Sequence, residues 1–162
     1  MAAGEWMEGF TITHYIIVME SDPVFAQDKK VKVNGLKGEY REGFIFKAKT
    51  GVIFQGTGQT EAGDFITIDW NKGKPKGRDT WFTLGTGGAW KKPVKWESVA
   101  VDRSVIPLGS RLEIEIYPGR TFVAWDTGGA IHGKHIDVFL GPTTLAEGNA
   151  LGRKKSRVRI LK

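Results

Sequence analysis

The chain has 162 residues, 40% of them hydrophobic, with 24 Lys and Arg against 18 Asp and Glu, a formal charge of +6 and a pI near 9.5. That length and apolar share suit one compact domain and exclude a disordered or fibrous chain, and no run approaches the roughly 20 apolar residues of a membrane span. The lack of cysteine excludes disulfides and thiolate metal sites, while the positive charge favours polyanionic partners, nucleic acid and anionic wall polymers among them.

The 22 glycines and short apolar runs punctuate the chain too often for long helices and point to a mostly β protein. Residues 10–20, FTITHYIIVME, are β-branched and aromatic and read as a strand. A Ser-Asp-Pro turn follows, and Asn34-Gly35 is a candidate turn between strands in a stretch without helix signals. Residues 71–93, rich in Gly, Lys and Trp without period, read as a long surface excursion.

From Lys95 the pattern sharpens. WESVAVD, SRLEIEIY, TFVAWD and HIDVFL are short strands separated by VIPLG, PGR and a glycine loop, all turn chemistry. TTLAEGNALG reads as one short helix ending at Gly152, and KSRVRIL as a closing strand whose basic residues face solvent. The expectation is an all-β fold, a small β-barrel of one domain over 1–162 with one short helix.

Three carboxylates stand at strand ends or inside strands. Asp102 ends SVAVD, Asp126 ends FVAWD, and Asp137 lies within the apolar run HIDVF. Alternation of side chains puts Asp102 with Ser98 and Ala100, and Asp126 with Phe122 and Ala124, so the three acids would converge beside small residues if the strands are neighbours. Convergent carboxylates raise one another's pKa, and an acid kept protonated near neutrality can protonate a leaving group. The plainer alternative is turn capping by Asp102 and Asp126. It does not extend to Asp137, because an acid inside an apolar run is costly without a partner.

The loop between the last two aspartates, DTGGAIHGKHID, nearly matches a phosphate loop. Gly128, Gly133 and Lys134 fit G-x-x-x-x-G-K, but His135 replaces the hydroxyl residue and a strand follows where a helix is required. His132 and His135, with Asp126 or Asp137, could supply nitrogen and oxygen ligands to zinc; the glycine-loop spacing does not favour them, and the expectation is no metal. Trp81, Trp90, Trp96 and Trp125 are candidates for stacking on sugar rings, with core packing as the alternative for each.

The segments VAVDRSVIPLGSRLEI, VAWDTGGAIHGKHIDVFLG and GRKKSRVRIL resemble the 3D (three-aspartate) domain, the catalytic barrel of membrane-bound lytic transglycosylase A and of small stationary-phase survival proteins. The resemblance is close over 99–161, with weaker echoes in TITHY and GQTEAG, while 21–50 and about 71–96 look like additions. It implies a six-stranded double-psi β-barrel that cleaves the MurNAc–GlcNAc β-1,4 linkage of peptidoglycan without water, forming a 1,6-anhydro ring. Carried over by position, the catalytic acid falls on Asp137, with Asp126 and Asp102 orienting it or steadying positive charge. Thr60, Gly128, Gly129, Lys134 and Trp125 become substrate-binding candidates. One departure is Ala124, where small members place a lysine that Lys134 or the 71–96 excursion would replace.

The resemblance implies an enzyme with no metal or organic cofactor, a monomer whose partner is peptidoglycan or a related polysaccharide rather than nucleic acid. It would work at the cell wall or outside the cell, its leader removed or its export following the route of phage lysins. Two alternatives stay open: a polysaccharide hydrolase on the same barrel, and a non-catalytic expansin-like wall-binding module.

Overall fold

The computed structural model describes residues 4–85 and 93–161. In chain order the elements are β1 (Met7–Met19), β2 (Lys30–Lys32), β3 (Glu39–Arg41), α1 (Glu42–Phe46), α2 (Val52–Gln55), β4 (Thr57–Gln59), β5 (Phe65–Ile68) and β6 (Phe82–Leu84). There follow β7 (Ser98–Val101), β8 (Arg111–Ile114), β9 (Phe122–Asp126), β10 (His135–Pro142), α3 (Leu145–Leu151) and β11 (Lys154–Leu161). The fold is mainly β, as expected. The chain divides into two compact units, one comprising Met1–Tyr15, Pro93–Gly141 and Gly148–Lys162, the other Ile16–Lys92 and Pro142–Glu147.

The first unit holds six strands hydrogen-bonded in the order β10-β7-β9-β8-β11-β1, and β1 also pairs with β10, closing the circuit into a barrel. All the pairs with a given register are antiparallel except β7–β9, which run parallel. A closed barrel leaves no sheet edge, so every strand's backbone groups find ladder partners. Its interior is filled from alternate positions: Phe10 and Ile12 of β1, Val99 and Val101 of β7, Leu112 and Ile114 of β8, Ile136 and Val138 of β10, and Val158 of β11 are all buried. The period-two pattern visible in the sequence is thus the pattern that fills the core. On the outer face of β11, Arg157 pairs with Glu115 and Arg159 with Glu113, the solvated role expected of the basic closing stretch.

The second unit contains the last residues of β1, where Val18 and Met19 pair in parallel with Gly58 and Gln59 of β4, then the antiparallel strands β5 and β6, and the β2–β3 hairpin. Its core gathers Val18, Phe25, Val33, Phe44, Ile45, Val52, Ile66, Ile68 and Phe82. Two helices, α1 and α2, occupy a stretch that carries no helix signal in the sequence. They are five and four residues long and neither has a side-chain cap; such short pieces persist through tertiary burial of Phe44, Ile45 and Val52 rather than through propensity. The described residues of the 71–93 excursion include single 3-10 turns at Trp70–Lys72 and Gly77–Asp79 and strand β6.

Candidate functional site

The barrel wall brings two of the three aspartates into one row. Ala100 of β7 is the register partner of Asp137 on β10 and of Asp126 on β9. At a strand spacing near 4.8 Å, the two acids are about 10 Å apart at their backbones. Strand alternation alone does not produce this row. The β7–β9 register shifts between Val99 and Ala100, so that Val99 faces Ala124 while Ala100 faces Asp126. Trp125 is the extra residue of a bulge, and without it the tryptophan would stand opposite Ala100.

Asp137 is flanked on the other side by β1. The Thr13 hydroxyl donates to its Oδ1 at 2.9 Å, and the same hydroxyl lies 2.8 Å from Nε2 of His135. Oδ2 has no hydrogen-bond partner among the described residues. Burial in the wall pushes the Asp137 carboxyl up to about 6, against a smaller opposing effect of the Thr13 hydrogen bond. The cause differs from the expected one, since desolvation and not repulsion between converging carboxylates accounts for the rise. Tyr15, one alternation along β1 from Thr13, packs on Phe139 with ring centroids 5.0 Å apart. Burial first, and then the charges of Asp137 and Asp126, push its phenol upward, so a neutral phenol stands near both acids.

Asp102 has a different task. Its Oδ1 accepts from the Ser104 amide at 3.0 Å and the Ser104 hydroxyl at 2.6 Å, and its Oδ2 accepts from the Gly133 amide at 2.7 Å. These donors, Ser104's hydroxyl foremost, hold its carboxyl down at about 2. The carboxylate therefore stays ionised and ties the loop between β9 and β10 to the end of β7. Asp126 is exposed and its Oδ1 accepts from the Thr127 amide at 2.7 Å.

That loop joins two strands of one barrel, which rules out the strand-to-helix geometry of a phosphate loop. Gly128 needs its missing side chain, because a Cβ would come within 2.8 Å of the Ile131 side chain, whereas Gly129 faces open space. Lys134 Nζ donates to the Glu8 carbonyl at 3.0 Å and lies 6.0 Å from the centre of the Phe10 ring, which directs it along the start of β1. Ala124, at the position of the family's lysine, is buried. Among the described residues no group of three His, Asp or Glu side chains is placed to hold a metal ion.

The remaining candidates scatter. Thr60 belongs to the second unit, where its hydroxyl accepts from the Asp64 amide at 3.1 Å and closes a turn. Trp81 is also in that unit, with Lys72 Nζ 5.4 Å from the ring centre. Trp96 is packed, its ring 4.7 Å beneath the Arg120 guanidinium and edge-on to Tyr117. Trp125 is half-buried at the bulge, and Trp90 lies outside the described residues. Thr13 and Tyr15 are contributions that reading the residues one by one did not single out. The only local hint was the T-x-Y of TITHY, and their partners lie more than 100 positions away.

Residues 97–162 match the family model of the 3D domain. Over 63 residues, 39% of the chain, the sequence is 44% identical to the cell wall-binding protein YocH of Bacillus subtilis, and over a span of the same length 43% identical to that organism's putative cell wall shaping protein YabE. These matches span 21% of YocH and 14% of YabE, so the chain covers only a minor part of either relative. In three dimensions it aligns with the crystal structure of the lytic transglycosylase MltA from Escherichia coli at a TM-score of 0.61 and 18% identity, covering 94% of this chain and 71% of that one. The closed barrel and these likenesses agree: residues 97–162 match the 3D domain, and the chain shares the fold of MltA.

Proposed function

We propose that this protein acts on peptidoglycan at the cell wall as a lytic transglycosylase, with Asp137 as its single acid and base. The observation that carries the reading is the state of Asp137: an acid set in a barrel wall, raised to about 6 by burial and held at Oδ1 by Thr13, with no hydrogen bond to Oδ2 among the described residues. Such a carboxyl keeps a protonated population near neutrality, which a general acid needs. The fold shared with MltA and the names of the wall-associated relatives support the choice of substrate.

In this scheme the Asp137 proton passes to the glycosidic oxygen as the bond from that oxygen to C1 of the muramoyl sugar breaks. Positive charge builds at C1, and Asp126, two strands away, steadies it. The carboxylate of Asp137 then takes the proton of the C6 hydroxyl as that oxygen bonds to C1, closing the 1,6-anhydro ring and restoring the acid. Asp102 takes no proton; it fixes the loop bearing Gly128, Gly129 and Lys134, which together with Trp125 would meet the glycan.

The second reading, a wall-binding module without catalysis, is favoured by the name of YocH. Mass spectrometry of soluble products from purified sacculi, treated with the wild type and with Asp137→Asn, separates the two. Anhydromuropeptides from the wild type alone are the expected result. Binding without product in both samples would replace the enzyme with a binding module, and reducing sugars would replace it with a hydrolase.

A further inference from the structure

His135 is the residue at which the phosphate-loop pattern fails, and neither nucleotide nor metal binding explains it. Its Nε2 is 2.8 Å from Thr13 Oγ1, whose single hydrogen goes to Asp137 Oδ1 at 2.9 Å. A hydroxyl has one hydrogen to give. With that hydrogen spent on Asp137, Oγ1 can only accept from the ring, so Nε2 must carry the proton. We propose that His135 is a positioning residue for Asp137: as the Nε2–H tautomer it donates to Thr13, commits the hydroxyl's hydrogen to Oδ1, and so leaves Oδ2 as the oxygen that carries the dissociable proton.

The surroundings suit a ring that stays neutral and directional. Burial, followed by the charges of Arg153, His132 and Lys155, holds the His135 imidazole below its ordinary range. The groups facing Asp137 are Thr13 and Tyr15 from β1, Ala100 from β7, Asp126 from β9 and His135 on its own strand. None of them other than Thr13 bonds the carboxyl among the described residues. If the ring were the Nδ1–H tautomer, the Thr13 hydrogen would turn to Nε2. Oδ1 would then hold the proton against Thr13, and Oδ2 would be the bare oxygen.

The proposal rests on Asp137 being the acid, but its test is read by NMR on the intact chain without turnover. The ring nitrogens of His135 and the carboxyl carbon of Asp137 are followed from about pH 4 to 8, a range that brackets the Asp137 midpoint of about 6. The comparison covers wild type, His135→Phe, His135→Gln, Thr13→Val and Thr13→Val/His135→Phe. The expected result is the Nε2–H tautomer in the wild type and an Asp137 midpoint raised by roughly half a unit or more in His135→Phe. His135→Gln, whose amide can still donate, restores the midpoint. In the Thr13→Val background His135→Phe adds no further shift, which separates an effect through Thr13 from a change in burial.

An Nδ1–H tautomer in the wild type overturns the proposal. So does a shift of equal size in both backgrounds, or a midpoint that is the same in wild type, His135→Phe and His135→Gln. His135→Gln and Thr13→Ser keep the test open if the larger changes prevent folding. The expected tautomer and shifts, found in a protein that releases no product from sacculi, would uphold the positioning role while removing the transglycosylase.

Discussion

Asp137 and Asp126 stand on either side of Ala100 in one register row across three strands, and the bulge at Trp125 puts the second acid there. The methyl side chain between them leaves space that a larger residue would fill. This row sets an acid that can be protonated near neutrality in line with a second, exposed carboxyl group.

The two should separate kinetically. Asp137→Asn removes the proton donor, and activity on sacculi is expected to fall by about a hundredfold or more, the usual worth of general acid catalysis. Asp126→Asn removes a more distant stabilising group and should lower kcat by less than Asp137→Asn does while the limb of the pH–rate profile near 6 stays in place, since Asp126 is not among the causes of the Asp137 shift. A pH–rate limb that moves with Asp126→Asn would contradict this division.

Asp137 also makes folding depend on pH in a direction opposite to most acids. Its folded pKa of about 6 lies above the ordinary 3.8, so the folded state binds the proton more tightly than the unfolded state. Its contribution is therefore most favourable below about 4 and is lost as pH rises to about 6, a change of up to about 3 kcal/mol. Asp137→Asn should accordingly raise the Tm relative to wild type above pH 6 and gain nothing near pH 4, as thermal melts at the two pH values would show.

Asp102 shows the reverse sign. A carboxyl held at about 2 contributes stability that is present above about 4 and lost as pH falls through about 2. Asp102→Asn should free the Gly133 amide, which then exchanges with deuterium faster, and should lower activity less than Asp137→Asn does. Unchanged exchange at Gly133 would mean that the loop is held by other contacts.

Gly35 completes the turn that Asn34-Gly35 announces. It has φ +91° and a Cβ there would lie 2.1 Å from the Phe82 carbonyl oxygen. Gly35→Ala adds left-handed strain to a backbone clash that no side-chain rotation relieves, and should cost roughly 3 kcal/mol. Denaturant unfolding measures this, and a cost near zero would show that β6 is free to shift.

The strands from β7 to β11 and the helix before Gly152 were legible in the sequence. Each of these depends on neighbours within a few positions, through alternating burial and turn residues; the apolar neighbours of Asp137 marked it as a candidate in the same local way. The helices α1 and α2 escaped because four or five uncapped residues become helical only when a core forms around Phe44, Ile45 and Val52. The Asp137–Ala100–Asp126 row escaped for another reason, since a one-residue register shift has no local signature. Thr13 reaches Asp137 across 124 positions and His135 across 122. Sequence periodicity reports which face a residue occupies; only barrel closure decides which residues meet on that face, because strand pairing joins positions that no local pattern connects.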